Sequence, residues 1–134
     1  PAHTDGDVFV HFIDSNVMHM GDVFRTTTYP IIDFDNGGNF HGIIAGLTKA
    51  VERADDNTII IPGHGVISDK AAVQQAIDMY VDILDGVKTL KDQGSSVDDV
   101  LTANPGAEYD ERWAGEGMFG GKEAMLRRIY IELD

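Results

Sequence analysis

The sequence predicts an α/β domain with few strands, and three observations carry that prediction. Residues 8–13, "VFVHFI", and 58–61, "TIII", are short apolar runs rich in β-branched and aromatic residues, as strands are. Residues 40–54 and 69–90 instead repeat their apolar positions at helical spacing. Long helices over so few strands predict a small mixed sheet flanked by helices, with a thin core for 134 residues.

The first run reads as a strand buried on both faces, because nothing polar except His11 interrupts it. Asp14-Ser15-Asn16 supplies a tight turn, and "VMHM" at 17–20 is the hairpin partner, ending at Gly21-Asp22. A loop, "DFDNGGN", follows at 33–39, with Asn39 as N-cap of a helix whose apolar face runs from Phe40 to Ala54. A turn at Asp55-Asp56-Asn57 leads into the strand Thr58 to Ile61. Ser68 and Asp69 open the clearest helix, with Val73, Ile77, Tyr80, Leu84 and Val87 on one face and Gly94 as its stop. Ser96 to Leu101 reads as a short helix, 104–121 as irregular and Gly-rich, and Lys122 to Leu133 as a closing helix.

Composition narrows the function classes. The chain is 43% hydrophobic and 25% charged, which is ordinary for a globular domain. Its 23 acidic against 10 basic residues give a net charge of -13. That balance excludes a generic nucleic-acid or anionic-membrane surface, both of which need clustered Lys and Arg. No apolar stretch approaches the ~20 residues that span a bilayer. The chain therefore reads as soluble, with cytoplasm and periplasm both open. With no cysteine, any metal site must use His and carboxylate ligands.

Five histidines, at 3, 11, 19, 41 and 64, fall singly along the chain. His11 and His19, inside apolar strands, read as packed core residues. His41, in a first helical turn, reads as exposed. His3 and His64 differ, because each lies in a Gly-containing turn beside a strand, where a scaffold presents functional side chains. Asp22, directly after Gly21 at the end of a strand, is the third such residue, although a turn aspartate also caps backbone amides. Two imidazoles and a carboxylate at three strand ends make a donor set suited to zinc or a similar divalent ion.

"PAHTDGD", "NVMHMGDVF" and "IIIPGHG", in that order, resemble the metallo-β-lactamase superfamily over about residues 1–91. The resemblance implies an αββα sandwich with one or two zinc ions, or iron or manganese, held at the sheet edges. It implies His3 as a histidine of the first metal site, Asp22 as the carboxylate bridging both metals, and His64 as the last histidine of the second. The activity implied is hydrolysis of an ester, lactam or related bond in a small molecule by a metal-bound hydroxide. Asp7 is the expected acceptor for a ligand imidazole N–H, and Tyr29 and His41 are expected on the substrate side. The family's His-x-His-x-Asp-His string is absent. Residues 1–134 are thus expected to form the C-terminal half of the sandwich, inactive alone, which also suits an opening at Pro1. Half a sandwich exposes an apolar sheet face, so the expected partner is the missing N-terminal half or a second copy in a homodimer. The competing expectation is a non-catalytic protein-interaction module that retains the fold without the metal.

Overall fold

The computed structural model describes residues 1–114 and 121–134. Strands β1 (Val10–Phe12), β2 (Val17–His19) and β3 (Ile59–Ile61) form a mixed sheet in that order. Strands β1 and β2 are an antiparallel hairpin, and its turn places Asn16 at φ 51°, a left-handed position that asparagine tolerates. Strands β2 and β3 run parallel, with Val17 opposite Ile59 and His19 opposite Ile61. A parallel pair needs a crossover, and helix α1 (Phe40–Arg53) supplies it.

The helices start where their caps predict. The Asn39 side chain accepts from Gly42 N at the head of α1, and Asp69 accepts from Ala72 N at the head of α2 (Lys70–Asp92). Ser96 and Asp99 form a reciprocal capping box on α3 (Val97–Ala103). Gly94, at φ 85°, ends α2 as expected. A short helix α4 (Asp110–Trp113) interrupts the segment expected to be irregular, whose residues 115–120 lie outside the described part. Helix α5 (Gly121–Glu132) closes the fold.

Helices cover one face of the sheet. Met18 and Ile60 point into that face and join Phe40, Ile43 and Leu47 of α1 and Val73, Ile77 and Tyr80 of α2 in one core. Phe40 and Tyr80 meet edge-to-face, ring centres 5.7 Å apart. The opposite face carries Val10, Phe12 and Ile59, which are 45%, 55% and 44% exposed. The expectation that residues 8–13 are buried on both faces is therefore corrected: β1 is an edge strand in a two-layer arrangement. His19 is corrected with it, being exposed on the uncovered face with its Nδ1 accepting from Gly21 N. His11 is half-buried on the inner side, near Asn16, and is not a sealed core residue.

Candidate functional site

The sheet register brings the candidate residues to one edge. Asp22 lies three residues beyond His19 and His64 three beyond Ile61, and those two strand positions are parallel partners. The two exits continue side by side: Gly63 N donates to Gly21 O at 2.7 Å and Thr26 N to His64 O at 3.0 Å. His3 arrives from the start of the antiparallel β1, at the same edge. Asp7 holds its turn by accepting from Ala2 N and Thr4 N at 3.0 and 3.1 Å. The backbone of residues 2–3 is tied to the 33–39 loop, with Asp33 N donating to His3 O and Asn39 N to Ala2 O, both at 2.9 Å.

His3 Nε2 lies 3.6 Å from Asp22 Oδ2, and His64 Nε2 lies 3.3 Å from Asp22 Oδ1. Each carboxylate oxygen thus faces one imidazole. His3 Nδ1 sits 2.7 Å from the Ile31 carbonyl, which only accepts, so the proton is assigned to Nδ1 and Nε2 presents a lone pair. A lone pair facing a carboxylate oxygen at 3.6 Å is not a hydrogen bond, and a positive charge between the two relieves the conflict. Two donors at 2.0–2.1 Å from a tetrahedral zinc lie about 3.3 Å apart, close to both spacings. The donor set therefore fits a divalent cation. Among the described residues no three His, Asp or Glu side chains enclose one metal position. That is consistent with Asp22 offering one oxygen, with one imidazole, to each of two positions.

The expected role of Asp7 is corrected. Its carboxylate binds the 2–4 backbone, and the Ile31 carbonyl is the acceptor that orients His3. His41 is also corrected: it is exposed as expected, but pairs with Glu132 at 3.0 Å at the head of α1 and does not line the site. Tyr29 does line the cleft of about 810 Å³ that contains His3, Asp22 and His64.

Comparison with family models and with curated proteins gives no match. The site's meaning therefore rests on its own geometry.

Two features of this cleft carry no sequence signal. Tyr29 is buried, and its hydroxyl donates to Asp110 Oδ1 at 2.8 Å, while Lys122 donates to the same oxygen at 2.7 Å. Burial and then the Asp110 bond push the Tyr29 hydroxyl pKa far up, so it stays a neutral donor. Arg25, three residues after Asp22, lines the cleft although it is only 8% exposed. No motif surrounds either residue. Each is found only through the packing of segments distant in sequence.

Proposed function

We propose that this chain supplies His3, Asp22 and His64 to a zinc-dependent hydrolytic centre of metallo-β-lactamase type, with a small molecule carrying an ester, lactam or related bond as substrate. On this reading the sheet and its helices are the C-terminal half of an αββα sandwich, and a companion segment supplies the remaining ligands. The observation that carries the reading is Asp22 held between two imidazoles, with His3 oriented by the Ile31 carbonyl. A backbone acceptor behind a ligand histidine fixes its tautomer and raises its basicity, as metal sites require.

A zinc ion bound there would lower the pKa of water to about 7 and polarise the carbonyl under attack. The chain's own residues hold and orient. Asp22 spans both positions, His3 and His64 present neutral nitrogen, and the cleft beside them receives the substrate. Iron or manganese would suit the same donors less specifically.

Zinc uptake after purification without chelators, followed by equilibrium dialysis, tests this directly. Wild-type chain should bind on the order of 100-fold more tightly than Asp22→Asn or His64→Ala. Equal uptake by all three, with ester and lactam hydrolysis in the reconstituted protein insensitive to His64→Ala, would sink the enzyme reading. The uncovered sheet face favours a second reading, a non-catalytic interaction module. On that reading association with a partner survives Asp22→Asn and zinc removal unchanged.

A further inference from the structure

Arg25 is 92% buried (8% exposed), and its Nε is buried with no hydrogen-bond partner. An unpaired buried guanidinium is costly, because desolvation of the charge goes uncompensated. Its isolation is unexpected in a chain with 23 acidic residues. Lys88, Lys91, Lys122 and Arg127 all find carboxylates, yet among the described residues Arg25 has none. Its position is not loose either. Its backbone bridges to His64, so the side chain is carried beside the Asp22–His64 contact and lines the same cleft. A second cleft residue, Arg128, stacks on Phe34 at 4.1 Å and also lacks an ion pair among the described residues.

We propose that Arg25 is the specificity-determining residue of this cleft and binds a carboxylate group of the small-molecule substrate. The proposal rests on the reading of the cleft as a substrate site and adds the substrate's charge class. A guanidinium fork matches a carboxylate bidentately, and burial makes that bond strong. A single negative charge fits better than a phosphate dianion, because Asp22, Asp33 and Asp35 line the same cleft. A substrate so held presents its scissile bond in a fixed orientation toward His3, Asp22 and His64.

The test needs no metal, so its outcome is independent of the zinc reading. Full-length chain treated with a chelator is titrated with benzoate, with its neutral isostere benzamide, and with inorganic phosphate, following the Arg25 Nε–H resonance by NMR. Benzoate should shift that resonance and bind at least tenfold more tightly than either alternative. Arg25→Met should remove the preference, and Arg25→Lys, which keeps the charge without the fork, should retain only part of it. Spectral dispersion reports whether each variant folds, and the lysine variant serves if the methionine variant does not. Equal binding of benzoate and benzamide, or a preference that survives Arg25→Met, overturns the proposal. So does tighter binding of phosphate. Glu116 lies outside the described residues, and a benzoate preference that appears only in Glu116→Gln would assign Arg25 to Glu116 and overturn it as well.

Discussion

A Cβ on Gly63 would run into Asp22 Oδ1 and would meet the Gly21 carbonyl carbon at 2.7 Å. Position 63 is therefore glycine because the β2 and β3 exits pass in contact, which is also what sets Asp22 against His64. Gly65 has a different reason: it sits at φ 106°, where an L side chain is strained, and a Cβ there would strike Thr26 Oγ1. Gly63→Ala should cost roughly 1–3 kcal/mol in urea unfolding, and should weaken zinc uptake because Asp22 must move. Unchanged zinc affinity in a folded Gly63→Ala protein would argue that Asp22 is not a ligand. At this scale the special status of His3, Asp22 and His64 was legible, because glycine-rich turns beside apolar runs are visible in one dimension. Arg25 was not, since nothing in "VFRTTT" marks a buried charge.

At the scale of elements, Asp110 is the clamp that joins α4, α5 and the 26–30 segment. It accepts from Tyr29, Lys122 and Asn104 at 2.7–2.8 Å. Burial acts to raise its pKa, but the bonds from Lys122, Asn104 and Tyr29 outweigh it, so the carboxyl sits below its ordinary value. A lowered folded pKa means the stabilisation is complete above the unfolded carboxylate value of about 3.9 and is lost as pH falls through the folded value. Asp110→Asn should therefore cost about 1–3 kcal/mol at neutral pH, by leaving Lys122 half-buried without its carboxylate. Denaturation curves of variant and wild type should converge as pH drops below about 3.9. A gap that persists at low pH would show that the charge is not what stabilises the clamp. Asp69→Ala, which removes the cap of the longest helix, should cost about 1 kcal/mol by the same measurement. The caps were readable in the sequence because a cap is a local hydrogen bond. The short α4 was not, because its position depends on contacts with Tyr29, far away in sequence.

Across the whole molecule the main imbalance is between the two faces of the sheet. Helices bury Met18 and Ile60, whereas Val10, Phe12 and Ile59 face outward with Val8 and Ile13, each 72% exposed, at the edge. Among the described residues no helix is long and apolar enough to cross a membrane, so a bilayer is not reached through a helix of this chain. A second protein layer is the cover the proposed sandwich requires. Light scattering on the isolated chain should show association beyond the 14.6 kDa mass, relieved by Val10→Thr with Phe12→Thr. A folded, monodisperse 14.6 kDa species would count against the half-sandwich. The net charge of -13 opposes packing of two identical copies, so a less acidic companion should bind more tightly than a second copy.

The sequence by itself determined the elements, their caps and three glycine-marked positions for His3, Asp22 and His64, because periodicity and turn chemistry are local. It misplaced β1, since an unbroken apolar run does not say which faces will be covered. Only the tertiary structure decided that β2 and β3 run parallel in a register that carries Asp22 and His64 to equal distances beyond the sheet edge. Only it replaced Asp7 by the Ile31 carbonyl behind His3, and brought Arg25 unpaired into the cleft. Those are consequences of strand pairing and packing between segments tens of residues apart, which no spacing in the chain encodes.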